Sequence, residues 1–428
     1  MRELLKDGIY IRYWLAVVIS FLGDGIARIT VIYVAAGLTD APALFIAAVV
    51  IAQLLPSGAL GAFIGPLVDR ISPRVLLVGA DLARFVIVLA MIQALNSAWM
   101  LLLLIFLEGI GKAVFETARM AAIPKVVGGH SIPSAVALFQ GTVQTLNLVG
   151  PLIGGLLIAL ADVKPVLVLN SASFVVSAIL LGSIGVLKGA TVSVTGPGMY
   201  WSSLRTGVVG VLSIPSLRLV AWTMVPVMLV IGLFTTNVNT QLLTSFDLSA
   251  FNYGLGQAML GGGAILGAFF GPVLVKRYSL TALLAASVGL FAVSLLVLAP
   301  IDWQWPKGGM VVVALWCAVA GLGMSLIQVP VANILLRDLP EEIRGRGIAL
   351  LNAVMVNFVV IGVLLGGVAA NWIGVATSIV VAGCVLIGPA LVLAVRIRRE
   401  LASSAHAGAD TEREPGAVEA EAQAESRP

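Results

Sequence analysis

The chain has 428 residues, 60% of them hydrophobic and only 11% charged, with a formal charge of +4. An ordinary soluble domain is about a quarter charged, and a chain of this length cannot hide so much apolar surface in one or two cores, so the excess faces lipid. Composition thus excludes a soluble enzyme, a secreted disulfide scaffold, a nucleic-acid binder and a disordered protein. Cys317 and Cys384 both sit in apolar runs and read as reduced packing residues. With only His130 and His406 besides, both far from the cysteines, no metal site or other cofactor is expected.

A helix needs about 20 apolar residues to cross a bilayer. Runs of that length predict helices over 11–37, 42–66, 74–95, 98–121, 133–160 and 165–187. A second set follows over 215–240, 250–275, 279–300, 309–336, 344–370 and 372–396. The expected fold is an all-α membrane protein with twelve transmembrane helices in two pseudo-symmetric six-helix bundles, 1–187 and 215–396. Between them, 188–214 is richer in Gly, Ser and Thr and reads as a cytoplasmic linker. The tail, 397–428, is acidic and alanine-rich, and its composition predicts disorder.

Charge placement tests the count. With the N-terminus in the cytoplasm, 20 of the 25 basic residues fall in inward segments; the outward loops hold only Lys164 and Lys307. Arg28, Arg84 and Lys112 fall within spans. A missed helix would scramble this bias, which is the one that places both termini in the cytoplasm. The first span is too long for the apolar region of a signal peptide, so no cleavage is expected.

The halves resemble each other. Gly61-Ala-Phe-Ile-Gly-Pro66 and Gly267-Ala-Phe-Phe-Gly-Pro272 agree at five of six positions, 206 residues apart. At an offset of 212, Gly109-Ile-Gly111 answers Gly321-Leu-Gly323, and Gly150, Gly154 and Gly155 answer Gly362, Gly366 and Gly367. Repeated six-helix halves are the signature of secondary transporters whose site lies between them.

On these residues the chain resembles the major facilitator superfamily over all twelve helices. The stretch Gly65-Pro-Leu-Val-Asp69-Arg70-Ile-Ser-Pro-Arg74 is similar to that family's G-x-L-x-D-R-x-G-R-R loop, departing from it at Ser72 and Pro73. On helix 5, Gly141 followed by Gly150-Pro151-Leu-Ile-Gly154-Gly155 matches the G-x8-G-P-x-x-G-G motif associated with antiporters. Phe21-Leu-Gly-Asp24, Thr117-Ala-Arg119-Met-Ala-Ala-Ile-Pro124 and Glu342-Ile-Arg-Gly-Arg346 resemble the branch of enterobactin and macrolide exporters. The resemblance implies alternating access; at the cytoplasmic mouth Asp69 is placed to latch the halves by pairing with a basic loop such as Arg344 or Arg346, or with a helix N-terminus. Physically, the helix 5 glycines clear one face for close helix approach, and Pro151 removes a backbone donor.

Ionisable residues inside spans are costly and are functional candidates by default. Asp24, Asp81, Glu108 and Glu116 all lie in the first six helices, with Arg28, Arg84 and Lys112. Asp24 and Arg28 are one turn apart; Glu108, Lys112 and Glu116 share one face of helix 4. These five are the proposed proton-coupling or cavity residues. Asp81 and Arg84, three apart, read as a local structural pair, and Glu116 and Arg119 approach the cytoplasm together. Many proton-coupled facilitators carry R-x-x-Q-G-x-G on helix 4, where this chain has Ile105-Phe-Leu-Glu108-Gly109-Ile-Gly111. The arginine is absent, and Lys112 is the expected substitute. Amides such as Gln53, Asn237, Asn239 and Gln241 are read partly as helix bridges. Trp222 and Phe234 are candidate ligand contacts, while Trp201, Trp303, Trp305 and Trp372 are expected to anchor the membrane interfaces.

The resulting expectation is a monomeric bacterial inner-membrane exporter, exchanging protons for an amphipathic small molecule such as a drug or siderophore. Its other partner is membrane lipid. Alternatives are a lysophospholipid flippase of the same fold and a non-transporting receptor or scaffold. No nucleotide loop, nucleophile–base pair or metal cluster points to an enzyme.

Overall fold

The structure is a computed structural model describing residues 7–128, 131–188, 214–339 and 344–398; at 58–70, 133, 188, 215–216, 219, 344–350 and 352–353 it describes the backbone alone. The expected linker, apart from its ends, and the tail from 399 lie outside the described residues. The first six helices are α1 (Gly8–Ala36), α2 (Pro42–Arg70), α3 (Pro73–Gln93), α4 (Ala98–Val126), α5 (Ile132–Ala161) and α6 (Val163–Gly182). A 3₁₀ turn, Gly185–Lys188, follows α6. The second set is α7 (Pro215–Thr240), α8 (Ala250–Arg277), α9 (Leu280–Leu296), α10 (Gly309–Asp338) and α11 (Arg344–Ile373), closed by α12 (Val375–Arg398). Eleven described helices are long and apolar enough to cross a membrane; α2, with 29 residues, makes the twelfth.

The helices begin where short polar side chains satisfy free backbone donors. Asp7 accepts from Ile9 N at 2.8 Å, Ser279 from Ala282 N at 3.2 Å, and Ser249 from Asn252 N at 3.4 Å. Pro151 lies inside α5, which continues through it. Helix α6 stops five residues before the expected end, and the remainder tightens into the 3₁₀ turn. Helix α9 stops at Leu296 and is continued by a short helix, Leu298–Gln304.

The repeated glycines explain how the halves are joined. Added to Gly150, a Cβ would stand 3.0 Å from the Cα of Gly25, and added to Gly154, 2.9 Å from the carbonyl oxygen of Ile26. Both glycines therefore bring α5 against α1, the first helix of its own half. Gly155, the next residue, faces across: its Cβ would stand 2.6 Å from Ala250 O and 2.9 Å from the Cα of Gly254 on α8. The second half repeats the scheme. Gly362 abuts the Leu229 carbonyl, and a Cβ on Gly366 would stand 2.8 Å from the Cα of Leu233, both on α7; one on Gly367 would meet the Cβ of Ala47 on α2 at 2.6 Å.

Both crossings, α5 with α8 and α2 with α11, lie near the face at which α1 and α7 end. At the other end of α5 a Cβ on Gly141 would have nothing within 4 Å, and Gln140 and Gln144 beside it are exposed. The helix 5 motif is thus divided: four of its residues pack closely, and Gly141 borders open space.

Candidate functional site

Mid-membrane in the first half, the side chain of Arg84 on α3 is 0% exposed. Two glycines make this placement possible. A Cβ on Gly111 of α4 would stand 2.6 Å from Arg84 Cγ, so only glycine leaves room for the arginine stem. A Cβ on Gly23 of α1 would meet Asn170 Oδ1 at 2.5 Å, so α6 also comes close.

Three carboxylates from three helices converge on this guanidinium. Arg84 Nη2 donates to Asp24 Oδ1 on α1 and, at 2.7 Å, to Glu108 Oε1 on α4; Nε reaches the same Glu108 oxygen at 2.9 Å. Asp81 Oδ1, one turn earlier on α3, lies 3.7 Å from Nη1. Ser20 Oγ sits between, 3.5 Å from Arg84 Nη1 and 3.4 Å from Asp81 Oδ1. The Phe174 ring of α6 closes the far side, its centroid 4.2 Å from the guanidinium carbon. Lys112 Nζ approaches the other oxygen of Asp24 at 3.8 Å.

Exposure grades outward from this centre. Arg84 and Asp81 are sealed, Asp24 is 9% exposed, Glu108 17% and Lys112 34%. Asp24, Arg28, Glu108 and Lys112 line one cavity within the first half, together with Gln53 and Asn170. Val31, Val88, Met91, Ile105 and Leu167 form its apolar wall. Asp24 Oδ2 and Asn170 Oδ1 are buried acceptors without a hydrogen-bond donor among the described residues. Arg28 is exposed and lies within electrostatic range of both Asp24 and, across the seam, Tyr253 of α8. Tyr253 OH donates to Asn239 Oδ1 at 2.7 Å, an oxygen that also accepts from Gln257 at 2.8 Å.

The structure unites Asp24, Glu108 and Lys112, with Arg28 at the same cavity, but rearranges their partners. Arg84 does not form a private pair with Asp81; it is the hub on which Asp24 and Glu108 also meet. The positive charge missing from helix 4 comes chiefly from α3, with Lys112 as a minor contributor. Glu116 is not among the residues lining the cavity. Nor is its neighbour Arg119 shown pairing with it: that guanidinium lies over Phe21 and Phe139, 5.2 and 5.5 Å from their centroids. Phe234 is not a ligand contact; it is 1% exposed, packed edge-on against Phe291 and Trp316. Trp222, Trp303 and Trp372 are highly exposed, Trp305 stacks near Phe246, and Trp201 lies outside the described residues. Of the expected cytoplasmic gate, the side chains of Asp69, Arg70, Arg344 and Arg346, and the packing at Gly65, lie outside the described residues. Arg74 is described, and its guanidinium donates to Gly182 O, fastening α3 to the end of α6 within one half.

Asn170, Ser20 and Phe174 were not singled out in the sequence. One signal could have found the hub. Three carboxylates buried in one half need cations nearby, and within those spans only Arg28, Arg84 and Lys112 are available.

Comparison with known proteins agrees with this architecture. The sequence profile described as Major Facilitator Superfamily matches residues 13–359 and 220–423. Macrolide efflux protein A of Streptococcus pyogenes is 22% identical over 392 residues, covering 89% of this chain and 93% of that protein. The MFS-type transporter YfiS of Bacillus subtilis is 23% identical over 400 residues, 91% and 95% of the two chains. Among solved structures, the nucleoside transporter NupG superposes with a TM-score of 0.72 at 13% identity, over 91% of this chain and 99% of that one. A bacterial homologue of the iron transporter ferroportin, in an inward-facing state, gives 0.66 at 15% identity, over 89% and 98%. The structural likenesses speak for the fold alone.

Proposed function

The chain belongs to the Major Facilitator Superfamily, and we propose that it is a proton-coupled antiporter that exports an amphipathic small molecule by alternating access. The observation that carries this reading is the Arg84 cluster. Arg84 stands within 4 Å of Asp24, Asp81 and Glu108, Lys112 stands within 4 Å of Asp24, and Arg28 lines the same cavity, so three carboxylates and three cations gather inside the first half. Asp24 and Glu108 are the two carboxylates of this set that face the cavity, from which a proton can reach them. Loading and release of that proton from opposite sides is what coupling requires.

The remaining features of the reading follow from separate observations. The relatives named for macrolide efflux support export and a drug-like substrate. The basic bias of the sequence supports a bacterial inner membrane with both termini cytoplasmic. In that orientation the glycine crossings close the external side, and the space beside Gly141 opens to the cytoplasm. The protein works as a monomer, each half supplying one wall of the path; Asp69 and the Arg344–Arg346 segment latch the opposite, cytoplasmic side.

The test is energised efflux of a macrolide and of a cationic dye from an efflux-deficient host, at matched expression. Wild type should show uncoupler-sensitive efflux, and Asp24→Asn and Glu108→Gln should lose it while remaining folded. Efflux that survives both substitutions would remove the cluster from the mechanism.

A further inference from the structure

Asp81 differs from the other two carboxylates gathered by Arg84. It is sealed, whereas Asp24 and Glu108 line the cavity. It is also the one held least closely. Arg84 Nη2 donates to both Asp24 and Glu108, and Nε to Glu108 again. Asp81 Oδ1 stands 3.7 Å from Nη1, too far for a hydrogen bond. Among the described residues no other cation comes within 4 Å of Asp81, and Lys112 approaches Asp24 instead.

Few groups surround this carboxyl. Arg84 is on its own helix, Ser20 and Asp24 are on α1, and Ser177 is on α6. Glu108 of α4 is joined to it only by way of the shared guanidinium. Ser20 Oγ stands 3.4 Å from Oδ1. Oδ2 is buried without a hydrogen-bond partner among the described residues, and so is Ser177 Oγ.

A carboxylate in this setting is costly. Water is excluded, one oxygen is bare, and the single cation gives its hydrogen bonds to two other carboxylates. A buried acid so placed is neutralised by a proton rather than left charged. The neutral acid is a donor, and Ser177 Oγ stands beside it as an acceptor. Two buried oxygens without partners then satisfy each other.

We propose that Asp81 is a carboxylic acid in this conformation, with its proton directed to Ser177, and that it is a positioning residue for the cluster. By staying neutral it leaves the charge of Arg84 to Asp24 and Glu108; ionised, it would draw Nη1 towards itself and slacken that hold. Its proton is distinct from the exchanged one, because Asp81 does not line the cavity. The positioning role rests on the antiport reading above. The protonation is a property of the folded protein and is measured without transport.

The experiment is infrared spectroscopy of the full-length protein in lipid at neutral pH. The carbonyl stretch of a protonated carboxyl should be present in wild type, in Asp24→Asn and in Glu108→Gln, and should be lost in Asp81→Asn. In deuterated water it should shift slowly, as expected of a sealed group. Ser177→Ala, which removes the acceptor, should move the band without abolishing it, and this arm remains should Asp81→Asn fail to fold. A band missing from wild type, unchanged in Asp81→Asn or unmoved in Ser177→Ala would overturn the proposal. Efflux tests the positioning role. Asp81→Asn keeps a donor and carries no charge, so the midpoint of the pH profile of efflux should stay at its wild-type value. Were Asp81 ionised, removing its negative charge would displace that midpoint to acid by about one unit, and such a displacement would equally overturn the proposal. A wild-type protein that shows the band but no uncoupler-sensitive efflux would sink the antiport reading and the positioning role with it, while upholding the proton on Asp81.

Discussion

At corresponding places the two halves hold opposite chemistry. Gly111 of α4 makes room for Arg84 of α3, and Gly323 of α10 makes the same room for Phe291 of α9. Arg84 then gathers three carboxylates, whereas Phe291 meets Phe234 edge-on, with centroids 5.5 Å apart, and Phe234 meets Trp316 in turn. One backbone frame is thus held in one half by aromatic packing and in the other by ion pairs. Since aromatics suffice, the charges are not there to hold helices together. Buried ion pairs are a poor source of stability in any case.

Substitutions can break or sharpen that contrast. The largest effect is expected from Arg84→Met, which leaves Asp24, Asp81 and Glu108 without their shared cation. Breaking a buried pair costs ~3–5 kcal/mol, so thermal unfolding in detergent should fall sharply and efflux should vanish. Phe291→Leu, its counterpart, should cost about 1 kcal/mol and leave efflux near wild type. If Phe291→Leu abolished coupling as Arg84→Met does, the division of labour between halves would be wrong.

An intermediate effect is expected at the crossings, where the halves should behave alike. Gly155→Ala and Gly367→Ala each push a methyl against the opposite half, at 2.6 Å from Ala250 O and from the Ala47 Cβ respectively. Overpacking of this kind costs ~1–3 kcal/mol, and both variants should slow transport to a similar degree. Gly141→Ala, with open space around it, should transport as wild type. A strong defect in one crossing variant but not the other would show that the seam is not symmetric in function.

The smallest effect is expected at the amides of the second half. Asn237 Nδ2 donates to Ser378 Oγ at 2.6 Å, bridging α7 and α12. Interhelical hydrogen bonds within membranes average only about 0.6 kcal/mol, so Asn237→Ala should lower the thermal midpoint slightly and preserve efflux. Loss of transport there would place a polar function in the second half as well.

The fold was legible because lipid and water divide a sequence coarsely. Twelve apolar runs, a basic bias and repeated glycines specify crossing number and symmetry without reference to any contact. The site was only partly legible. Asp24, Glu108 and Lys112 stand out as charges within spans, and their helical spacing shows which of them share a face. Arg84 was paired with Asp81 because i, i+3 neighbours can be seen in sequence, whereas partners on α1 and α4 depend on helix placement. Phe234 is not legible from sequence for a reason particular to membranes. Core-facing and lipid-facing positions are equally apolar, so periodicity does not separate an aromatic packed at 1% exposure from one facing a cavity.

The close approach of α5 to two helices at once has a mechanical meaning. Gly154 bears on α1 and Gly155 on α8, so adjacent residues of one helix press on both halves. Gly154 meets the Ile29 side chain as well as the Ile26 carbonyl, whereas the contacts of Gly150 and Gly155 are backbone to backbone, and backbone has no rotamers with which to absorb displacement. Gly150 meets Gly25, the residue next to Asp24, so the train runs from the seam to the cluster without a flexible side chain in it. The seam with α8 is thereby tied through α5 to the backbone of α1 beside Asp24 and the guanidinium that clamps it.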